Sequence, residues 1–264
     1  MAVTLFRSLS EEDKNTAIES LIADSTPRDD FFFMGILAVL MATFGMLMNN
    51  AAVVIGSMLI APLLSPILSL SLGIIMFDAH LMARSFFTIL KGLLLMIPAA
   101  ILATWLFSDG ISGPMTEEII LRTDTSIVAA AIGLLAGIAA SFALIKPQLS
   151  AHLPGVAISV ALIPPISAVG IGLARLDGAL AGSALLLLLI NIATIIFGSM
   201  IIFLLMSLYV KRGVADKAVN KEDTRLKKEQ KQADRAAKPA AKINSPAKSI
   251  IFSAKKILNF LSKK

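Results

Sequence analysis

Cysteine is missing from the chain, so disulfides, thiolate metal sites and cysteine nucleophiles are all excluded. Histidine is nearly missing: only His80 and His152 are present, neither beside an evident acid partner or the glycines of a nucleophile elbow. There is no glycine loop followed by lysine and serine or threonine to cradle a phosphate. Charge is also absent from the centre of every long apolar run, with Asp78, Arg84 and Lys91 lying toward the ends of theirs. A proton relay of buried carboxylates is therefore not expected. Together these absences argue against an enzyme, a resident metal and a cofactor.

What is abundant is hydrocarbon. The mean hydropathy of +0.82 is far above that of a soluble domain of this length. Apolar runs occupy residues 31–48, 51–77, 86–107, 126–145, 153–174 and 179–209. Each approaches the roughly 20 residues a helix needs to cross about 30 Å of hydrocarbon. Runs such as LLLLLINIATIIF (185–197) lack the period-two alternation of a membrane barrel strand, which leaves helices. The pattern predicts six spans.

Basic residues give the expected orientation, because cytoplasmic segments retain them more often than translocated ones. Of 24 lysines and arginines, 16 follow residue 210. With six spans the amino terminus shares that side, as do Arg84, Lys91 and Lys146, leaving Arg122 and Arg175 outside. Both termini are thus expected in the cytoplasm, with the chain in the plasma membrane. The first apolar run follows an acidic tail rather than a short basic leader, so it reads as a retained anchor. Trp105 and Tyr209 fall where interfacial aromatics belong.

Two of the apolar runs resemble each other. GSMLIAPLLSPILSLSLG (56–73) and GVAISVALIPPISAVGIG (155–172) align without a gap at an offset of 99 residues, matching Gly56 to Gly155, Pro66 to Pro165 and Gly73 to Gly172. Proline removes a backbone donor and clashes with the carbonyl four residues earlier, so both spans are expected to break there. Three spans (31–107) precede an acidic loop and three (126–209) follow it, and an odd number inverts the second unit. The expected fold is all-α: a polytopic membrane protein of two inverted three-helix repeats with proline-broken second and fifth spans.

Broken helices expose amides at one half and carbonyls at the other, which favour anions and cations respectively. Ser57, Ser65 and Ser69 in the second span, and Ser159 and Ser167 in the fifth, add hydroxyls beside Pro66, Pro164 and Pro165. Against this stands the bland reading, in which the prolines merely kink packed helices and the serines bond to their own turns. Asn191 is the most deeply placed amide, as substrate contact or as interhelical glue beside Thr194. Ala129, Gly133, Gly137 and Ser141 form a small-residue stripe, repeated in spacing by Gly178 and Gly182, that suits helix packing within or between protomers. Asn49 and Asn50 suit a tight turn.

Outside the membrane domain (31–209), residues 10–24 within the 1–30 tail predict a short amphipathic helix. Ser10 and Asp13 take capping-box positions, Ile18, Leu21 and Ile22 share one face, and Pro27 ends it. Residues 210–246 form a charged linker too poor in apolar residues for a core. Residues 247–264 predict a basic amphipathic helix whose Lys255, Lys256, Lys263 and Lys264 flank an apolar face, suited to an anionic lipid surface. Nucleic acid is the lesser reading of those lysines.

IGSMLIAPLLSPI (55–67), LPGVAISVALIPPISAVGIG (153–172) and LLLLLINIATI (185–195) together resemble the bacterial and archaeal membrane family catalogued as domain-of-unknown-function family 389. The resemblance covers about residues 30–210 and implies a six-span membrane domain, with no established substrate or catalytic residues. Ser65 stands where that family usually has glycine or another small residue. The leading functional expectation is a small secondary transporter or channel-like permease. Its pathway would lie between the repeats, lined by Ser65, Pro66, Ser69, Ser159, Pro164, Pro165, Ser167 and Asn191. It would carry a small inorganic ion, with an anion slightly preferred, or a small polar solute. The alternative is a structural or regulatory scaffold, possible as a homo-oligomer, acting through its basic tail.

Overall fold

The structure is a computed structural model. It describes residues 10–108, 113, 115–146, 149 and 162–243, with side chains as far as residue 233. Every regular element among these residues is helical. They are α1 (Glu11–Asp24), α2 (Asp29–Leu47), α3 (Ala51–Ile60), α4 (Leu64–Met76), α5 (Ala79–Phe107), α6 (Glu117–Ile120), α7 (Ile127–Ile145), α8 (Ile163–Ala174), α9 (Gly178–Leu205) and α10 (Arg212–Ile243). Four of them, α2, α5, α7 and α9, are long and apolar enough to cross a membrane; α3 and α4 make a fifth candidate if their bent pair is one span.

α1 starts as the sequence predicts. The Ser10 hydroxyl accepts from the Asp13 amide at 3.0 Å and the Asp13 carboxylate accepts from the Ser10 amide at 3.2 Å, satisfying two of the donors a helix start leaves open. Its apolar face, Ala17, Ile18, Leu21 and Ile22, is buried in the main core. Each large aliphatic side chain so buried contributes roughly 1.5–3 kcal/mol.

Three helical hairpins share one device. In each, a glycine carbonyl accepts from the amide of an Asn or Asp five residues on: Gly45 from Asn50 (2.8 Å), Gly73 from Asp78 (3.0 Å) and Gly172 from Asp177 (2.8 Å). The residue before each donor of the turn, Asn49, Phe77 and Leu176, is left-handed, with φ of 53°, 51° and 57°. The Asn or Asp side chain then caps the next helix by accepting from its first amides. Glycine is required because a Cβ would sit against the backbone nitrogen of the returning helix: 2.9 Å from Val54, 3.0 Å from Met82 and 2.6 Å from Ala181. These tight returns lay α3 on α2, α5 on α4 and α9 on α8.

The 99-residue offset runs through these elements. α4 and α8 begin at Leu64 and Ile163, their left-handed terminators are Phe77 and Leu176, and α5 and α9 begin at Ala79 and Gly178. α2 and α7 are 19 residues each and match within one position. The remaining counterpart, that of α3, falls on residues outside the described ones.

The break in the second apolar run does not fall at Pro66. It spans Ala61–Leu63, around Pro62, and the two halves meet at 53°. Pro66 is instead the third residue of α4, where its amide would have no partner within the helix and its ring meets no helical carbonyl behind it. Pro164 and Pro165 likewise occupy the first turn of α8. In both runs the matched proline lies in the first turn of a helix: the second run is broken, but around Pro62 rather than at Pro66, and residues 150–161 ahead of α8 lie outside the described ones. Pro98, inside α5, leaves that helix continuous.

α9 ends at Leu205, short of the predicted 209, because Ser207 turns left-handed with φ 59° before a 3-10 turn at Leu208–Lys211. The compact unit that holds α1 to α9 and the start of α10 closes at Val219, because Ala215, Ala218 and Val219 of α10 are buried in it. From Asn220 the chain is a second unit, described as helical to Ile243, where Arg225 pairs with Glu229 at 2.9 Å. The 247–264 segment, with Lys255, Lys256, Lys263 and Lys264, lies outside the described residues.

Candidate functional site

Two cavities lie at opposite ends of the first unit. One, of about 280 Å³, is walled by the end of α1 (Ala23, Asp24, Thr26), the start of α2 (Arg28, Asp30, Phe31, Met34) and the break between α3 and α4 (Ile60, Pro62, Ser65). The other, of about 240 Å³, is walled by Leu121, Arg122 and Asp124 before α7, by Ser126 to Gly133 at the start of α7, and by Leu187 and Asn191 of α9. The ends are fixed by long-range bonds. At the far end the Thr116 hydroxyl donates to the Met46 carbonyl at 2.6 Å and the Glu118 amide donates to Asn49 Oδ1 at 3.2 Å, tying the connection into α7 to the finish of α2. α2, about 28 Å long at 1.5 Å per residue, runs from the first cavity at its start to this tie at its finish.

The first cavity is the more polar in character. Arg28 grips the Asp30 carboxylate with two hydrogen bonds, at 3.2 and 2.8 Å. Arg84 of α5 reaches back to donate to Thr26 Oγ1 at 2.9 Å, pinning the α1–α2 link. Burial pushes the Asp24 carboxyl above its usual range, against the opposing pull of the Arg28 charge and a Ser20 hydrogen bond. At the break, the last four carbonyls of α3 have no partner inside their own helix. The facing amide ends are poorer: Pro66 removes one donor from the first turn of α4, and Pro164 and Pro165 remove two from that of α8. An anion relying on those amides finds fewer of them than the sequence-based preference supposed.

The predicted site residues divide into two groups. Ser65 lines the first cavity and Asn191, only 6 % exposed, lines the second. Ser69 and Ser167 are packed instead. Ser69 accepts from the Ser85 hydroxyl at 3.0 Å, and Ser167 donates to the Val39 carbonyl at 3.2 Å, joining α8 to α2. Pro66, Pro164 and Pro165 are buried, and Ser57 bonds within its own turn to Val54 at 2.6 Å. Ser159 lies outside the described residues. The small-residue stripe serves packing: a Cβ on Gly133 would strike Thr194, and one on Gly137 the backbone of Ile195, so α7 lies tightly on α9.

Sequence reasoning missed the tail's contribution. Asp24, Thr26 and Arg28 precede the first apolar run and carry no motif, yet they form one wall of the cavity that Ser65 lines. It also missed Ser71 and Ser199, whose hydroxyls are hydrogen-bonded at 2.6 Å between α4 and α9.

The helices and the repeat define the class, an all-helical protein with at least four helices fit to cross a membrane. Residues 58–197 match the profile of the family described as domain of unknown function, DUF389, and the chain belongs to that family. An uncharacterised protein of Methanocaldococcus jannaschii is 34 % identical over 172 residues, covering 64 % of this chain and 52 % of that protein. The chain therefore spans about half the length of this curated relative. No solved structure matches the chain.

Proposed function

We propose that this chain is a small multi-pass permease of the plasma membrane, carrying a small inorganic cation or a small uncharged polar solute between two inverted repeats, with both termini in the cytoplasm. The observation that carries the reading is the pair of cavities at opposite ends of a unit built on a 99-residue repeat. Each cavity lies at the start of the first long helix of its repeat, as two vestibules of an inverted pathway would. The preference for a cation or neutral solute comes from the α3 carbonyls at the break and from the prolines that thin the opposing amides. Packing at Ser69 and Ser167 closes the route between the vestibules in this conformation. The lysines of 247–264 are assigned to anionic lipid.

The same packed serines favour a second reading, a scaffold with no continuous pathway. Single cysteines at Ser65 and Asn191 distinguish the two in this cysteine-free chain, using a membrane-impermeant thiol reagent on intact cells and on inverted vesicles. A permease predicts labelling of each from its own side, and liposome flux of potassium, urea or glycerol that falls in a folded Pro62→Ala protein. Absence of labelling at both positions, with no flux, supports the scaffold.

A further inference from the structure

The repeat is imperfect in one place. α8 packs directly on α2, held by the bond from Ser167 to the Val39 carbonyl. The counterparts of these residues, 99 positions away, are Leu68 of α4 and Ile138 of α7. Among the described residues α4 and α7 make no comparable contact; α1 packs on both of them instead. Its buried face of Ala17, Ile18, Leu21 and Ile22 belongs to the same core cluster as Leu68 and Ile138. α1 thus stands where symmetry would bring two helices of the repeats together.

α1 is held there by polar contacts at its two ends, the first with an exposed carboxylate and the second partly buried. Glu11 pairs with Lys211 at 2.6 Å, and beyond its last turn Thr26 accepts from Arg84 at 2.9 Å. Its last turn also walls the cavity beside Ser65. Helix packings of this kind exchange between discrete arrangements rather than deforming smoothly, because close-packed interfaces are bistable.

We propose that α1 is a withdrawable wedge. Seated, it holds α4 away from α7; withdrawn, it lets α4 close on α7 with Leu68 against Ile138, while α8 leaves α2. The consequence for transport, an exchange of the open end, rests on the permease reading; the exchange of packing does not.

The test uses the full chain in liposomes, in two forms. Spin labels replace exposed Glu19 and Ala83, and the distance distribution is compared with that of the same protein carrying Glu11→Lys and Arg84→Ala. A second, longer population that grows severalfold in the loosened protein is expected. In parallel, the pairs Leu68→Cys with Ile138→Cys and Val39→Cys with Ser167→Cys are oxidised. Loosening α1 is expected to raise the first cross-link severalfold and lower the second. A single unchanged distance overturns the wedge, as does an α1 that withdraws while Leu68 and Ile138 stay unlinked. Should the cysteine pairs fail to fold, labels at Leu70 and Leu135 read the approach of α4 to α7, and no shortening on loosening overturns it too. Exchange of packing without any solute flux would leave the wedge standing and remove the permease.

Discussion

Ser71 and Ser199 sit 128 residues apart and share a 2.6 Å hydrogen bond, and the residues 99 positions from each, Gly170 and Ala100, meet across the other half of the fold. Residue 71 touches 199 while its counterpart 170 touches the counterpart of 199. The two contacts differ in chemistry, hydroxyls in one and a glycine-to-methyl fit in the other. Ser71→Ala and Ser199→Ala should couple by about 0.6 kcal/mol in a double-mutant cycle, the typical strength of such a bond between membrane helices. Thermal unfolding in detergent measures it.

Gly170→Ala should destabilise the protein by about 1–3 kcal/mol, because the added methyl meets Ala100 and, at 3.2 Å, the backbone of Ile97 and Ile101. Ala100→Gly should recover only part of the loss, since the backbone atoms remain and glycine inside a helix costs about 1 kcal/mol itself. Full additivity of the two substitutions in unfolding would show that they do not touch.

Asp78→Ala and Asp177→Ala should each cost about 1 kcal/mol by uncapping α5 and α9, while Asn at either position should be tolerated. The two losses should add, because the caps belong to separate hairpins. Equal stability of the Ala and Asn proteins would remove the capping role.

Phe77→Gly and Leu176→Gly should stabilise. Both residues are left-handed and exposed, so replacing them relieves about 1–2 kcal/mol of steric strain and forfeits no core contact. The greater freedom of glycine in the unfolded chain returns roughly half of that. A raised melting temperature is the expected result, and a lowered one would place a partner on those side chains.

Two carboxylates of the tail should respond oppositely to pH. The hydrogen bond from Lys211 holds the Glu11 carboxyl down at about 2, so its contribution is full above the ordinary carboxylate value and is lost as pH falls toward that figure. Asp24 is raised by burial, so its charged form is penalised in the folded state as pH climbs past the ordinary value. Asp24→Asn should therefore raise the melting temperature at pH 7 and lose that advantage at pH 4. Glu11→Gln should lower it at pH 7. Melting scans across that range check both signs.

Several parts of the site are legible in the residues and others are not, and the division follows distance along the chain. The capping box at Ser10 and Asp13, the apolar face of α1 and the helix-packing stripe from Ala129 to Ser141 all depend on neighbours within a turn or two, so a local pattern reveals them. The glycine, left-handed residue and Asn or Asp of the three hairpins were equally local. Asn49 and Asn50 alone read as a turn; that the spacing is a device shows only when it recurs at Gly73–Asp78 and Gly172–Asp177. The break at Pro62 rather than Pro66 turned on which of two prolines four residues apart the helices could absorb, and a helix start absorbs one readily.

The amino-acid sequence by itself determined that the chain is helical and strongly apolar and that two of its runs match at an offset of 99 residues, because backbone sterics, capping and apolar periodicity act over a few residues. Tertiary structure alone decided that α1 enters the core between α4 and α7, that Asp24 shares a cavity with Ser65, and that Ser71 finds Ser199. Those contacts join residues from 41 to 128 positions apart, and which surfaces meet at such range is chosen by the packing of all the helices at once.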